Sequence, residues 1–553
     1  MFMAAVALSS CSSEETINNG GQSGDAAPTS YISVNIVSTP EGGTRAADDN
    51  YEAGTPQENK VTKVRFYFFD ENGNAATVKA SSQANYYDWT TPDGTGTETT
   101  GPVERNLNAV LLIETKNGDG LPAQVVAVIN PDETRLGTTS RNLTELRNLT
   151  ANYAKSANDA TDASFVMCNS VYASPAKEEI AATKLTKDNF QNSAETATAN
   201  PVNVYVERNV AKVRVTFDTG VLDGDSRVQA KTSDGTAIKV DNKDVYIEFG
   251  KWNISGDLNL ANLSKHVNTN WDNVFGNGVA WNDAPYFRSY WASAVTPGSG
   301  ETATNQYANY NTNQAVAFTE RNFKYCNENA EKGTDIKNTQ VIIPAKLCDA
   351  DGNAYTLAEF AGQRYIATAT PSDESDLTDL KKAILTYFEN DHKHYYQEGS
   401  TYKEIAPEDI TFKTSTAAGK NTAANTGTYY VYACLSTAGA GKIWLTKKAD
   451  GTYETCTSVE NDLLAMPHAK IWKNGATYFY FDIEHLGNKT GVVRNHLYDT
   501  SLTKICGLGT PVYNPDEDII PERPVDEDTY IAAKVKILSW RLITSKKTLD
   551  WGK

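Results

Sequence analysis

With 553 residues the chain is long for a single hydrophobic core, so two domains are the default expectation. Its 69 acidic and 51 basic residues give a formal net charge of −18, which repels nucleic-acid phosphates and anionic membrane surfaces and so disfavours nucleic acid as a partner. Abundant Thr, Asn, Gly, Ala and Tyr, with only 4 Met, favour strands and turns, and we therefore predict a mostly β protein.

The N-terminus resembles the signal peptide of a bacterial lipoprotein. A short apolar run, residues 1–10, ends in Leu8-Ser9-Ser10 and precedes Cys11, the pattern at which a signal peptidase cuts and the cysteine is acylated. Such a signal normally begins with basic residues and this run has none, so we expect the true start codon to lie upstream. The polar, Gly/Ser-rich residues 12–30 suit a tether that leads away from a membrane anchor.

A strand and a lone arginine complete the segment 11–45. Ile32, Val34 and Ile36 alternate with other residues, which predicts a half-buried strand. Arg45 is the first basic residue of the chain and follows a proline and two glycines, so we expect it in an exposed loop that a protease can enter. By its position alone, however, Arg45 is better interpreted as an ordinary exposed arginine.

The body of the chain is predicted to form two β domains, 46–200 and 201–510. Alternating or continuous apolar runs predict strands at 63–69, 125–129, 202–217, 245–249, 341–343, 429–435 and 443–446. A long surface insertion rich in Asn, Tyr and Trp is expected near 265–330.

Helical signals are few. Residues 143–149 suit a short helix, and a longer one is predicted by apolar residues at helical spacing, namely Leu377, Leu380, Ile384 and Phe388. Within 470–481, the pair Asn474-Gly475 separates two strand-like runs, which predicts a β-hairpin.

The C-terminus carries a second isolated strand. Residues 511–528 are acidic and punctuated by prolines, which indicates an extended linker. In the following segment, 529–553, one face of a predicted strand is apolar, with Ile531, Ala533, Val535 and Ile537. No hairpin partner lies beside this strand in the sequence, so it must pair with a sheet edge elsewhere.

The two terminal strands share one apolar pattern, which suggests that one could replace the other. If cleavage at Arg45 removed the first strand, the vacated groove would accept the last strand of a neighbouring copy, as in donor-strand exchange. Burying Ile531, Val535 and Ile537 would contribute about 1.5 to 3 kcal/mol each, or about 5 to 9 kcal/mol in total.

The order of these features resembles the type V pilins of Bacteroidales, the major-subunit fimbrillins of the short (minor) fimbriae. The resemblance is carried by Cys11, the strand and arginine loop at 30–46, the motifs Val-Glu-Arg-Asn-Val-Ala-Lys-Val at 206–213 and Val-Arg-Asn-His-Leu-Tyr at 493–498, Asp-Thr-Tyr at 528–530 and Ser-Trp at 539–540. These motifs are dense mainly at the two ends and at the predicted domain boundary.

The resemblance implies a fold and a life cycle for the protein. The expected fold is two transthyretin-like β-sandwich domains with a few short helices and a C-terminal donor strand. The expected route runs through the periplasm as a lipoprotein precursor to the outer membrane and a cell-surface fimbria, with the membrane contacted only through the lipid on Cys11. An Arg-specific protease would cut between Arg45 and Ala46. The expected partners are identical subunits in a homopolymer and the accessory anchor and tip subunits.

Site chemistry of other kinds is weakly indicated. The seven cysteines show no Cys-x-x-Cys pair, so both disulfides and buried free thiols stay open. The run Asp391-His392-Lys393-His394 offers two imidazoles without a third ligand in view and is interpreted as a solvated turn. The Asp-rich run 349–353 lacks the Glu that a calcium loop needs, and 436–442 lacks most of a phosphate-binding loop. We predict no catalytic residues, no metal site and no cofactor.

Two alternatives to a polymerising subunit remain. The first is a non-polymerising surface lipoprotein, such as a fimbrial anchor or a tip adhesin, that binds host protein or glycan through the insertion near 265–330. The second is a surface glycoside-processing enzyme, which would need two carboxylates paired in a cleft, and such a pair is not recognisable in an unaligned chain. The presence of both a removable strand and a donor strand favours the polymerising subunit, which is not an enzyme.

Overall fold

A computed structural model describes most of the chain. The described residues are 29–37, 54–55, 58–79, 82–90, 97–98, 105–115, 120–151, 165–173, 178–224, 226–267, 292–293, 303–329, 337–367, 377–389, 393–420, 430–485, 490–520 and 530–539.

Strands dominate these residues. In the first part of the chain they are β1 (Thr29–Val37), β2 (Lys63–Phe69), β3 (Tyr86–Thr90), β4 (Thr97–Glu98), β5 (Arg105–Glu114), β6 (Gln124–Ile129), β7 (Thr150–Ala151), β8 (Met167–Asn169), β9 (Tyr172–Ala173), β10 (Glu179–Ile180), β11 (Thr183–Lys184) and β12 (Val202–Arg208). They continue as β13 (Val210–Phe217), β14 (Arg227–Gln229), β15 (Lys239–Val240), β16 (Lys243–Asp244), β17 (Tyr246–Phe249), β18 (Asn253–Ser255), β19 (Asp257–Leu258), β20 (Ala261–Asn262), β21 (Asn305–Gln306), β22 (Phe323–Asn327) and β23 (Gln340–Cys348).

The last third of the chain adds thirteen strands and most of the helical residues. The strands are β24 (Leu357–Phe360), β25 (Gln363–Ile366), β26 (His394–Glu398), β27 (Thr401–Glu404), β28 (Ile410–Thr414), β29 (Val431–Leu435), β30 (Trp444–Lys447), β31 (Tyr453–Thr455), β32 (Lys470–Trp472), β33 (Ala476–Asp482), β34 (His496–Cys506), β35 (Thr510–Pro511) and β36 (Tyr530–Ser539). The described α-helices of the whole chain are α1 (Glu133–Leu136), α2 (Leu143–Arg147), α3 (Ala194–Ala199), α4 (Thr378–Glu389), α5 (Thr437–Ala440) and α6 (Val459–Leu464), with 3-10 turns at Lys187–Asn189, Pro407–Asp409 and Lys473–Gly475.

The N-terminal strands form one sheet in the order β3-β2-β6-β8-β12-β1-β5-β4, and β11 pairs with β6. Both halves of this sheet contribute to a single hydrophobic core, in which Phe66 and Phe68 of β2 join Ile32 and Val34 of β1. Two apolar faces of one curved sheet therefore enclose one core, as in a β-sandwich.

The C-terminal strands form two sheets that share a second core. A four-stranded sheet has the order β22-β13-β34-β36, and a larger one has the order β14-β17-β23-β33-β35, with β18 also on β23. Val213 and Tyr498 from the first sheet and Ile343 and Phe479 from the second belong to the same buried cluster. This is a second sheet-on-sheet packing.

A third packed unit is formed by the residues that lie between β23 and β33 in the sequence. These two strands themselves pair with each other in the C-terminal sandwich. The unit contains three small sheets, β25-β24-β32, β27-β26-β30-β31 and β28-β29, together with helices α4, α5 and α6. Its own core includes Leu380 and Ile384 of α4, Trp444 of β30 and Leu463 of α6. Sequence analysis did not identify this unit as separate from the second domain.

The mostly β fold class with few helices is confirmed. The helix predicted from Leu377, Leu380, Ile384 and Phe388 is α4, and Leu380, Ile384 and Phe388 are buried in it. The short helix predicted at 143–149 is α2. Helix α2 begins with a capping box between Asn142 and Glu145. The division into two domains stays a prediction.

Three sequence-based expectations are wrong in part. The runs around Asn474-Gly475 do not pair as a hairpin, because β32 joins β24 while β33 joins β23. The end of the predicted insertion near 265–330 is β22, a strand of the C-terminal sheet beside β13.

The described part of the predicted linker 511–528, residues 511–520, is not an extended spacer. Val512 and Ile519 are buried at 5% and 2% exposure, and the amide of Ile519 donates to the carbonyl oxygen of Ala308 at 2.8 Å. These two apolar side chains pack with Ile342 and Tyr478, so the burial of apolar surface outweighs the acidic composition of the segment.

The six described cysteines are free thiols, and all except Cys456 are buried. Burial raises the pKa of the Cys168 thiol to about 12, which makes it a structural residue. Among the described helices none has the length and apolar character needed to span a membrane.

Candidate assembly site

Strand β1 occupies an interior position in the N-terminal sheet. It pairs antiparallel with β5 from Thr29 to Val37, and from Val34 onwards it also pairs parallel with β12. Both of its edges are therefore engaged by neighbouring strands. Removing β1 would leave a groove between β5 and β12.

The inner face of β1 is buried in the N-terminal core. Ile32 and Val34 have 0% exposure and Ile36 has 2%, so these three side chains form a buried apolar face, but Ser33 between them is buried as well and the strand is not half-buried as predicted. Complete burial of three such side chains contributes about 5 to 9 kcal/mol to holding the strand in place. The flanking strands contribute Leu107, Ala109, Leu111 and Val204 to the same core, so removal of β1 would expose apolar residues along the groove.

Polar contacts hold β1 at its edge and on the face opposite to Ile32, Val34 and Ile36. The amide of Tyr31 donates to the carbonyl oxygen of Gln191 at 2.7 Å, and the Gln191 amide donates back at 2.8 Å. The side-chain amide of Asn35 donates to Asn203 at 2.9 Å. Ser33 is fully buried, and among the described residues its hydroxyl has no hydrogen-bond partner. An apolar donor residue at the place of Ser33 would fill this part of the slot without leaving a hydroxyl unpaired.

Strand β36, the predicted donor, lies at a sheet edge. It pairs antiparallel with β34, with Ile531 opposite Ile505, Ala533 opposite Leu502, Val535 opposite Thr500 and Ile537 opposite Tyr498. It is the last strand of its sheet in the described chain, so only one of its edges is paired. The expectation that this strand needs a sheet edge is met within its own chain, and residues 521–529 lead to it.

The two motifs that carried the family resemblance meet in a buried polar joint between the two sandwiches. Arg494 is fully buried, and its Nε donates to a carboxylate oxygen of Glu328 at 2.8 Å. The other guanidinium nitrogens donate to the carbonyl oxygens of Leu263 at 3.1 Å and Asn262 at 2.8 Å. Asn209 donates to the same two carbonyl oxygens, each at 3.1 Å. The motif residues therefore fix the connection between β12 and β13 by hydrogen bonds.

A second part of this joint holds the chain that follows Arg45. Glu58 has 0% exposure, forms an ion pair with Lys212 at 3.0 Å and accepts a hydrogen bond from the Tyr325 hydroxyl. Arg208 donates to the carbonyl oxygen of Glu58 at 3.0 Å and to the side chain of Asn59. The segment downstream of the predicted cleavage position is thus anchored independently of β1.

One carboxyl near the joint has an unusual pKa. Asp257 of β19 is partly buried, and its carboxylate accepts a hydrogen bond from the Asn327 amide at 2.9 Å. Burial raises the pKa of this carboxyl to about 7, while hydrogen bonds from Asn327 and Leu258 and the charge of Lys324 act in the opposite direction. Burial also lowers the pKa of Lys324 to about 8.

The structure brings together only some of the residues predicted from the sequence. The removable-strand residues lie in the N-terminal core, whereas the donor-strand residues lie at the edge of a different sheet in the C-terminal part. Cys11, Arg45 and Ala46 lie outside the described residues. Glu58 and Glu328 were not recognised from the sequence, because each is a single acidic residue whose ion-pair partner lies more than 140 positions away.

Comparison with known protein families gives one match. The family model described as Major fimbrial subunit protein (FimA) matches residues 30–206, which confirms the resemblance to fimbrillins. No curated protein matches the chain.

Solved structures that resemble the chain are distant in sequence. A fimbrilin (fimA) from Porphyromonas gingivalis is 15% identical with a TM-score of 0.33, covering 93% of this chain and 98% of its own. The tip fimbrial protein Mfa3 from the same organism is 10% identical with a TM-score of 0.28, over 93% and 100% of the two chains. A fimbrial assembly protein from Parabacteroides distasonis is 13% identical with a TM-score of 0.28, over 61% and 85%.

Proposed function

From the match of residues 30–206 to the family of major fimbrial subunits, we propose that this chain is a structural subunit of a cell-surface fimbria that supports adhesion. It is exported as a lipoprotein acylated on Cys11 and matured by an Arg-specific protease between Arg45 and Ala46. Mature copies polymerise by donor-strand exchange. The chain carries out no catalysis in this role.

The difference between the two terminal strands supports the exchange step. Strand β1 has two paired edges and a fully buried apolar face, whereas β36 has one paired edge in the described chain. In the groove left by β1, a β36 from another copy would exchange its single neighbour, β34, for two neighbours, β5 and β12, and would contact the apolar core. This net gain of one paired edge favours the exchange once the groove is empty.

The matching dimensions of the two strands support the same step. β1 has nine residues and β36 has ten, and each carries apolar residues at every second position. Val535 and Ile537 of the donor have the same spacing and side chains as Val34 and Ile36, and in that register Ala533 takes the place of Ile32. Two of the three buried positions therefore keep their side-chain volume, which is the kind of exchange that costs little in a packed core.

Cleavage at Arg45 provides the control of assembly. While β1 fills its slot, no groove is available, so the precursor stays monomeric during export. The anchored Glu58 keeps the downstream chain attached to the joint when β1 leaves. Loss of the cleaved strand makes assembly irreversible and leaves the lipid behind with the removed segment.

Limited trypsin treatment of the purified full-length chain tests the proposal. No Lys or Arg lies between Arg45 and Lys60, so a cut that produces Ala46 as the new N-terminus is identifiable by mass spectrometry. The cut chain should form a ladder on a native gel. An Arg45→Ala variant treated in parallel should stay monomeric.

Deletion of residues 529–553 provides the second arm of the trypsin experiment. The truncated chain should be cut at Arg45 as before, yet it should form no ladder because it lacks a donor. If the cut full-length chain stays monomeric at every concentration, polymerisation is excluded, and a non-polymerising anchor or tip adhesin becomes the better assignment.

A further inference from the structure

The unit inserted between β23 and β33 brings a histidine, a cysteine and an aspartate together. His394 begins β26, Cys456 follows β31 directly and Asp462 lies in α6. They come from three separate elements, and the first is more than 60 positions from the other two in the sequence. One ligand atom of each residue lies within 4.8 Å of the others.

Their ligand atoms face one another closely enough to share a metal ion. Nε2 of His394 lies 3.8 Å from Oδ2 of Asp462. In a tetrahedral zinc site with bonds of about 2.0 to 2.3 Å, neighbouring ligand atoms are about 3.3 to 3.8 Å apart. Nitrogen and oxygen ligands, with bonds of about 2.0 to 2.2 Å, lie at the short end of this range, so the histidine and aspartate would approach each other by about 0.3 to 0.5 Å and the thiol would shift by about 1.3 Å at most.

We propose that His394, Cys456 and Asp462 form a binding site for Zn²⁺. Imidazole nitrogen, thiolate sulfur and carboxylate oxygen are all established zinc ligands, and soft sulfur together with imidazole selects zinc over calcium or magnesium. Three protein ligands leave a fourth coordination position for water. Cys456 and Asp462 are partly exposed, so an ion can reach the site from solvent.

Neighbouring groups orient two of the three ligands. The imidazole of His394 stacks on the ring of Phe388 from α4, with centroids 4.9 Å apart and an angle of 15° between the planes. The hydroxyl of Ser458 donates to the Asp462 carboxylate at 2.6 Å and lies 3.4 Å from Sγ of Cys456. Hydrogen bonds and packing of this kind around ligands commonly raise metal affinity.

The backbone fixes the position of the thiol. The amide of Cys456 donates to the carbonyl oxygen of Trp444 at 2.8 Å, and β30 pairs with β26 with His394 opposite Thr446. Cysteine and histidine are thus held by the same small sheet, while the aspartate belongs to the helix packed beside it. A bound ion would tie α6 to this sheet and stabilise the inserted unit.

Metal binding by the untagged full-length chain tests the site. After removal of metal with a chelator and of the chelator by dialysis, calorimetric titration with Zn²⁺ should show one ion per chain. Co²⁺ in place of Zn²⁺ should give a thiolate-to-cobalt charge-transfer band. Zinc should also raise the thermal midpoint of the protein, since an ion that binds the folded state alone stabilises it.

Single substitutions assign the ligands. His394→Gln, Cys456→Ser and Asp462→Asn should each weaken zinc binding by at least about tenfold, and Cys456→Ser should abolish the charge-transfer band. His468→Gln and Asp450→Asn, at a partly exposed histidine and a turn aspartate of the same unit, should leave both readouts unchanged.

Asp462→Asn is the decisive variant, because this side chain is 44% exposed and its substitution should not disturb folding. The proposal is overturned if the wild type binds no zinc at one equivalent, if Co²⁺ gives no charge-transfer band, or if Asp462→Asn binds zinc as the wild type does.

Discussion

At the scale of single residues, Arg494 is the side chain on which the joint depends most. Its guanidinium is fully buried and is bonded to Glu328 and to two carbonyl oxygens. Arg494→Met would leave the Glu328 carboxylate buried without its counter-charge, which typically costs about 3 to 5 kcal/mol. Urea denaturation should therefore show a clearly lower midpoint for the variant.

A surface arginine provides the matched comparison for that measurement. Arg364 forms an ion pair with Glu359 and its side chain is 35% exposed, so Arg364→Met should cost no more than about 1 kcal/mol. Equal destabilisation by the two substitutions would contradict the role assigned to Arg494.

Asp257 makes the stability of the protein depend on pH. Its folded-state pKa of about 7 lies above the value of about 3.9 for an unfolded chain, so between these values the unfolded state loses the proton first. Stability contributed by this residue is complete below about pH 4 and is lost as the pH rises towards 7. The Asp257→Asn variant lacks this titration.

Unfolding free energies of the wild type and Asp257→Asn at pH 4.5 and 7.5 check the sign. The wild type should weaken relative to the variant by up to about 1.4 kcal/mol for each pH unit across the window. Other carboxylates titrate equally in both proteins and cancel in the difference. A constant difference between the two proteins across this range would show that Asp257 does not titrate there.

At the scale of elements, a substitution in β1 should lower the stability of the uncut chain but should not affect assembly after cleavage at Arg45. Val34→Asp places a charge in the N-terminal core, where an unpaired carboxylate is expensive, so the uncut chain should unfold at a lower urea concentration than the wild type. Once Arg45 is cut and β1 has left, the remaining subunit has the wild-type sequence and should assemble normally.

An exposed residue of β5, opposite β1 in the sheet, provides the control substitution for Val34→Asp. Asn108 pairs with Asn35 across β5 and β1 and is exposed, so Asn108→Asp should leave the stability of the uncut chain nearly unchanged. If Val34→Asp assembles poorly even after cleavage, β1 remains part of the mature subunit.

Elements with a strong local pattern could be predicted from the sequence. Period-two alternation located β1, and helical spacing together with sufficient length located α4, because both signals are contained in about ten neighbouring residues. The Asn474-Gly475 pair led to the wrong prediction of a hairpin, because it too is only a local signal. Both residues have positive φ, as in a tight hairpin turn, yet the flanking strands pair elsewhere, since pairing is decided by distant strands.

Features that depend on distant partners could not be predicted. In the sequence, no third metal ligand lies near His394. Cys456 and Asp462 come close to it only when α6 packs onto the small sheet. The same limit applies to Glu58 and Glu328, whose charges acquire meaning only with the buried Lys212 and Arg494. Spacing in one sequence contains no information on such pairs.

At the scale of the whole molecule, donor and groove should be separable into two chains. An Arg45→Ala chain keeps β1 in place, so it has a donor strand with one unpaired edge in the described chain and no groove. A chain cut at Arg45 and lacking residues 529–553 has a groove and no donor. Each should be monomeric alone, because each lacks one half of the joint.

Mixing the two chains should produce a heterodimer and nothing longer. The donor strand of the first fills the groove of the second, after which neither a free donor nor an empty groove remains. Size-exclusion chromatography with light scattering measures the mass, and Val535→Asp in the donor chain should abolish the dimer because it buries a charge in the groove. Ladders from the mixture, or a dimer that survives Val535→Asp, would mean that the subunits are joined through a surface other than β36 and the slot of β1.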